Sequence, residues 1–189
     1  MAGTPIRLAV IVASTREGRF ADTVANWFID QVTRYDVDLD VIDLKYTPLP
    51  AVMRAAPGPE VRAFAARIGA ADAFVVITCE YNHGYPASLK LAIDSVRDEW
   101  RAKPVAFVSY GGLAGGLRAV EQLKQVFAEL EAVLIRDSVS FHMAHERFDD
   151  AGRPRHPEQA GRAAAIMLDR LLWWAGVLRD ARKTLPPAA

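Results

Sequence analysis

Short apolar runs alternate along the chain with longer segments in which apolar residues recur at helical spacing. Residues 6–13 (IRLAVIVA) and 73–78 (AFVVIT) are apolar almost throughout, which is typical of strands that are covered on both faces. Residues 105–109 and 133–141 predict two more strands, the second interrupted by a pair of charged residues. Residues 38–44 (DLDVIDL) alternate apolar and acidic positions, which predicts a strand nearer an edge of the sheet.

The remaining segments predict helices and one long irregular connection. Residues 45–59 carry four prolines, and proline removes a backbone donor and restricts the residue before it, so we expect irregular structure there. Trp173 and Trp174 are adjacent on the last predicted helix and cannot both face one core stripe, which suggests that one lies at a subunit contact. The helices are predicted at 20–32, 60–70, 86–96, 117–130 and 157–182, and the last has an apolar stripe of Ala164, Met167, Leu171, Trp174 and Leu178.

Five strands alternating with five helices predict a parallel sheet with right-handed crossovers, and therefore a three-layer α/β sandwich. In such sheets ligands bind beyond the carboxyl ends of the strands, where the strand order reverses. The loops that follow the first, third and fourth strands, residues 14–20, 79–86 and 110–116, are therefore the candidate site.

Composition narrows the possible functions. The 189 residues carry 23 Lys and Arg against 23 Asp and Glu, and this balance argues against a nucleic-acid binder and does not favour anionic lipid. A single cysteine, Cys79, cannot form an internal disulfide or supply a thiolate zinc site alone. Without a membrane-length apolar run or a signal-like start, we expect one cytoplasmic domain over residues 1–185, with residues 186–189 frayed.

The first candidate loop has the chemistry of a phosphate site. Ser14, Thr15 and Arg16 combine hydroxyl groups and a guanidinium with the free backbone N–H groups of a helix start. An N-cap and a turn would explain these residues equally well. The loop lacks the glycine spacing of a dinucleotide fingerprint and the lysine of a P-loop, so Asp43 at the end of the second strand is interpreted as a structural carboxylate and not as a ribose ligand.

The other two loops favour a flat ligand. The backbone N–H groups of residues 79–86 (CEYNHGYP) could meet the carbonyl-bearing edge of a heterocycle, although any turn favours Asn and Gly. The glycine-rich residues 110–116 offer bare backbone against which a ring could lie, and a flexible hinge is an equally good interpretation of that loop alone.

Taken together and in this order, the motifs resemble those of the NADPH-dependent FMN reductase family, which also contains quinone, azo-dye and chromate reductases. The chain departs from the family pattern at Cys79, where proline is usual, and at Leu91, where asparagine is usual. The resemblance covers about residues 6–140 and rests on STR (14–16) with GRF (18–20), EYNHGYP (80–86) with LK (89–90) and AID (92–94), and SYGG (109–112).

The resemblance implies a flavodoxin-like fold with a five-stranded sheet of order 2-1-3-4-5 that holds FMN noncovalently. NADPH or NADH would pass hydride to flavin N5, and the electrons would go on to a flavin, quinone or azo-type acceptor by a ping-pong scheme, with no catalytic side chain. Arg16 and Arg19 are candidates for phosphate charge, and Asp22 is expected to face away or cap the helix. The implied cofactor residues are Ser14, Arg16, Phe20, Ala21, Asp22 and Thr23 around the phosphate, and Glu80, Tyr81, Asn82, His83, Ser109, Gly111 and Gly112 around the ring.

Several alternatives stay open. A flavodoxin-like electron carrier that does not oxidise NAD(P)H would share these motifs, and reduced FMN could instead be released to a partner monooxygenase. Arg118 is interpreted as a solvated arginine at a helix end, in preference to a residue that holds NADPH. His142 and His145 lack a nearby third ligand, so no metal site is predicted. Family relatives are generally dimers or tetramers, so a homodimer or homotetramer is expected.

Overall fold

The computed structural model describes residues 4–184, and these form one parallel sheet with helices on both faces. The strand order is β2-β1-β3-β4-β5, which confirms the predicted order. All neighbouring strands are parallel. The strands are β1 (Ile6–Val12), β2 (Val37–Asp43), β3 (Ala73–Cys79), β4 (Pro104–Tyr110) and β5 (Val133–Phe141).

The helices lie close to the predicted segments, with one short addition. The residues expected to fray, 186–189, lie outside the described part of the chain. No helix within residues 4–184 is both long and apolar enough to cross a bilayer. The helices are α1 (Ala21–Val32), α2 (Pro59–Ala70), α3 (Ala87–Asp94), α4 (Leu117–Glu129), α5 (Ala144–Arg147) and α6 (Pro157–Thr184), with a 3-10 turn at Asp98–Trp100; the sequence pattern missed α5 and this turn.

Alternating side chains of the sheet build a separate core on each face. Leu8 and Val10 of β1 pack with α1 and α6, whereas Ala9 and Ile11 pack with α2, α3 and α4. Strands β3 and β4 are buried along their whole length, but β2 keeps exposed positions, as its alternating sequence predicted for an edge. The sheet is therefore covered on both faces, and its carboxyl edge carries the loops.

Two details of the packing concern β5 and α6. The pairing of β4 with β5 shifts between Val105 and Phe107, which face Leu134 and Ser138, so β5 carries extra residues where the charged pair interrupts its sequence. The predicted stripe of α6 was wrong at Trp174, which is 38% exposed, because the neighbouring Ala175 takes that position in the core.

Candidate functional site

Loops from three strands and the segment after a fourth strand meet at the carboxyl edge of the sheet and surround one cavity of about 270 Å³. The cavity lies where the chain order reverses between β1 and β3. Residues 143–146, which follow β5, form its fourth side and were not predicted. The rule that placed the other loops at this edge applies equally to the end of β5 and could have found them. The predicted site residues that line the cavity are Ser14, Arg16, Phe20, Glu80, Tyr81, Gly111 and Gly112.

Six predicted site residues do not line this cavity. Ala21 and Ser109 are buried, and Thr23 is half-buried in the first turn of α1. The side chains of Asp22, Asn82 and His83 are exposed. Of these three, Asn82 and His83 form the tip of the loop after β3, between Tyr81 and Gly84.

The loop after β1 brings one uncommitted cation to the cavity. The guanidinium of Arg16 lies over the ring of Tyr81, 4.6 Å from its centroid, and forms no ion pair with any described residue. The hydroxyl groups of Ser14 and Tyr81 are hydrogen-bonded at 2.9 Å, which ties this loop to the loop after β3. A cation stacked on an aromatic face at the start of a helix is well placed to meet an anion.

Arg19 also lines the cavity, but its guanidinium is engaged within the protein, which argues against the prediction that it supplies charge to a phosphate. Its side chain is 2% exposed, and its guanidinium donates to both carboxylate oxygens of Asp43, to Asp22 at 2.6 Å, and to the carbonyl of Ser14. The interpretation of Asp43 as a structural carboxylate is therefore supported. Because all three nitrogens of its guanidinium donate hydrogen bonds, Arg19 ties the loop after β1 to the end of β2.

The charges of this network stabilise one another. Burial by itself raises the pKa of Asp43, but hydrogen bonds from Arg19 and from the backbone N–H of Lys45 outweigh it and hold that pKa below its ordinary value. The hydrogen bond to Asp43 raises the pKa of Arg19. Both groups therefore stay ionised at neutral pH, and the pair keeps the loop in place.

The loop after β3 is a two-residue hairpin. The N–H of Tyr81 donates to Gly84, and the N–H of Gly84 donates to Tyr81, both at 2.9 Å. Asn82 and His83 have φ of 51° and 68°, the left-handed pair that such tight turns require. Their own N–H groups make no hydrogen bond with described residues and remain available as donors.

Glu80 contributes a carboxylate beside this hairpin. Its Oε1 forms an ion pair with the guanidinium of Arg118 at 3.1 Å, and Arg118, in the first turn of α4, keeps 39% of its side chain exposed. The second oxygen, Oε2, is buried and has no hydrogen-bond partner among the described residues. The pair joins the loop after β3 to the start of α4.

The glycine-rich loop after β4 is held by backbone hydrogen bonds, which argues against the hinge interpretation. The N–H groups of Met143 and Ala144 donate to Gly112 and Gly111 at 2.8 and 2.9 Å. Gly115 has φ of 60°, and its carbonyl accepts hydrogen bonds from two serine hydroxyl groups. The loop therefore presents a fixed, bare backbone edge to the cavity.

Aromatic rings form the walls of the cavity. The ring of Phe20 lies 4.5 Å from the imidazole of His145 and 6.1 Å from the ring of Tyr110. Burial raises the pKa of Tyr110 and, less strongly, that of Tyr81, so both phenols stay neutral at physiological pH. The thiol of Cys79 is buried beside them, and residues 4–184 hold no group of three or more His, Cys, Asp or Glu residues that could bind a metal.

A doubly wound sheet of this strand order, with a cavity where the order reverses, is the flavodoxin-like fold. Flavodoxin 1 of Bacillus cereus shares this fold with a TM-score of 0.57 at 17% identity, over 87% of this chain and 99% of the flavodoxin. The flavoenzyme NAD(P)H:(acceptor) oxidoreductase FerB of Paracoccus denitrificans matches with a TM-score of 0.74 at 22% identity, over 90% of this chain and 97% of FerB.

Sequence comparison identifies the family. The sequence model of the NADPH-dependent FMN reductases matches residues 6–146, and the chain belongs to that family. An NAD(P)H-dependent FMN reductase of Schizosaccharomyces pombe is 35% identical over 131 residues, which are 64% of each chain. A 2-hydroxy-1,4-benzoquinone reductase of Burkholderia sp. is 28% identical over 94% of this chain and 98% of its own length.

Proposed function

We propose that the protein is an FMN-dependent NAD(P)H oxidoreductase that reduces small acceptors of the quinone, flavin or azo type. The observation that carries this proposal is the cavity at the switch point, which combines a free guanidinium, aromatic walls and a glycine edge. A Cβ built on Gly112 would meet nothing within 4 Å, so the backbone there leaves room for a flat ring. Family membership supports the cofactor, and relatives named as quinone and azo reductases support the acceptor class.

The residues of the cavity fit a flavin nucleotide. Arg16, Ser14 and the N–H groups at the start of α1 would hold the phosphate, since an anion is stabilised by a guanidinium and by the positive end of a helix. Arg19 would not touch it, because its guanidinium is engaged by carboxylates. The free N–H groups of Asn82 and His83 would meet the polar edge of the ring.

When bound, FMN would supply the redox chemistry, by accepting hydride from NAD(P)H and passing the electrons to the acceptor. The described side chains then need only bind, orient and exclude water. Tyr81 and Tyr110 stay protonated and serve as hydrogen-bonding walls. We propose that coenzyme and acceptor use the same open side of the cavity in turn, which is a ping-pong scheme.

The test is a titration of the purified protein with FMN, followed by flavin fluorescence and by NADPH oxidation with a quinone. We expect saturable FMN binding and flavin-dependent oxidation. Arg16→Met should weaken FMN binding by about tenfold or more, since hydrogen bonds to charged groups contribute about 1.5–3 kcal/mol. Arg153→Met, in an exposed pair outside the cavity, is the control. A protein that binds no FMN contradicts the proposal.

An electron carrier is the alternative outcome of the same titration. FMN bound without any oxidation of NADPH or NADH would favour it, whereas rapid exchange of micromolar FMN would favour release to a partner monooxygenase. The expected homodimer or homotetramer remains a prediction, supported by Trp173 and Trp174, which are 62% and 38% exposed on α6. A cytoplasmic location remains a prediction from the sequence.

A further inference from the structure

A second cavity lies on the other side of α5 from the first. It has a volume of about 240 Å³ and is bounded by the end of β5 and the first turns of α6. Residues 143–146 line the first cavity, whereas His142 and Arg147, which flank them in the chain, line the second. The two cavities are thus separated by a single short helix, about 10–12 Å across with its side chains.

The polar lining of this second cavity is basic. Arg147 donates through Nε to the carbonyl of His142 at 3.2 Å, and its two terminal nitrogens have no partner among the described residues. His142 donates through Nδ1 to Leu113 at 3.0 Å, which leaves its other ring nitrogen uncommitted. The side chains of His156 and Gln159 also make no described hydrogen bond. None of the described lining residues is acidic.

The rest of the lining is apolar. Phe141, Ala160 and Ala163 form a wall next to the basic groups. A ligand that matches both parts has a flat, weakly polar body and a phosphate. An arginine with two free terminal nitrogens suits a phosphate, because its planar fork donates two parallel hydrogen bonds.

The geometry points to this cavity as the site for the adenosine 2′-phosphate end of NADPH. The inference rests on the proposed function, since it places the nicotinamide end of the same coenzyme in the first cavity. A dinucleotide is long enough to cross a barrier of one helical turn. Arg147 would bind the 2′-phosphate, with His142 or His156 beside it, and the adenine would lie against Ala160 and Ala163. NADH lacks this phosphate, so the cavity would select NADPH.

Calorimetric titration with adenosine 2′,5′-bisphosphate and with 5′-AMP tests the site directly, because neither ligand needs a redox reaction. We expect the bisphosphate to bind at least tenfold more tightly than 5′-AMP, and Arg147→Ala to bring this ratio close to one. Arg153→Ala is the matched control, because Arg153 lies in the same connection before α6 but pairs with Asp149 at 3.0 Å and does not line the cavity. In steady-state assays with FMN, Arg147→Ala should raise the KM for NADPH about tenfold and leave the KM for NADH and kcat unchanged.

Four results would overturn the inference. The unmodified protein could bind both nucleotides equally, Arg147→Ala could keep the preference, or Arg153→Ala could lose it to the same extent. A rise in the KM for 2-hydroxy-1,4-naphthoquinone, an anionic acceptor, without a change for NADPH would assign the cavity to the acceptor and also overturn it. If neither coenzyme is oxidised, the proposed function fails, while the calorimetric ratio still decides the nucleotide site.

Discussion

Substitution of Gly116 by alanine should destabilise the protein by about 2–5 kcal/mol, and the structure divides that cost into two parts. Gly116 has φ of 84°, and an L residue pays about 1–2 kcal/mol in the left-handed region. A Cβ there would also lie 2.8 Å from Cβ of Ser109 and 3.0 Å from the backbone N and O of Tyr110. These atoms belong to β4 and cannot move freely, so overpacking adds about 1–3 kcal/mol.

Two other glycines allow the conformational cost and the packing cost to be measured separately. Gly18 has φ of 62° but nothing within 4 Å of a built Cβ, so Gly18→Ala should cost only the conformational part, about 1–2 kcal/mol. Gly112 has neither a positive φ nor a close neighbour, so Gly112→Ala should lie within about 0.5 kcal/mol of the unmodified protein.

Urea unfolding of the flavin-free proteins, followed by far-ultraviolet circular dichroism, measures all three free energies of unfolding. For a chain of this size, about 1 kcal/mol corresponds to about 2–4 °C in Tm, so Gly116→Ala should melt roughly 10 °C lower. Equal losses of unfolding free energy in Gly116→Ala and Gly18→Ala would show that the close contacts with β4 add no cost. A loss at Gly112 as large as that at Gly116 would refute the whole argument from backbone geometry.

Two further predictions concern buried charges. Arg19→Met should lower the free energy of unfolding by about 3 kcal/mol, because it leaves Asp43 without its partner. Arg7→Met, in the exposed Arg7–Asp38 pair, should cost only about 0–1 kcal/mol. Urea unfolding compares the two variants, and equal effects would contradict the structural role of Arg19. Burial lowers the pKa of Lys103 from 10.5 to about 8. Between these two pH values the unfolded chain binds more protons than the folded protein does. The free energy of unfolding of the unmodified protein, relative to that of Lys103→Met, should therefore rise from pH 8 to pH 10. A flat or falling difference would contradict this prediction.

Most of the fold could be read from the chain because local sequence encodes it. Runs of branched apolar residues predicted β1 and β3 as strands covered on both faces, and the alternation in β2 marked an edge. The charged interruption in β5 coincides with its shifted pairing to β4. These features depend on which side chains face a core, and a period of two or of 3.6 residues reports that directly.

The candidate site could be predicted only in outline. The order of strands and turns located three loops at one edge, but α5 is too short for a periodic pattern to reveal it. The sequence also could not distinguish the two arginines of the first loop. Arg19 pairs with Asp43, 24 residues away, whereas Arg16 lies over Tyr81, and only the folded chain brings these partners together.

The sequence by itself determined the five strands, the five longer helices and the edge of the sheet at which a ligand can bind, because these follow from backbone hydrogen bonding and from burial of periodic apolar faces. Only the tertiary structure decided which charges neutralise one another, which guanidinium groups remain free, and that a second, basic cavity lies beyond α5. Such pairings depend on distances of a few ångströms between residues far apart in the chain, and no local pattern carries that information.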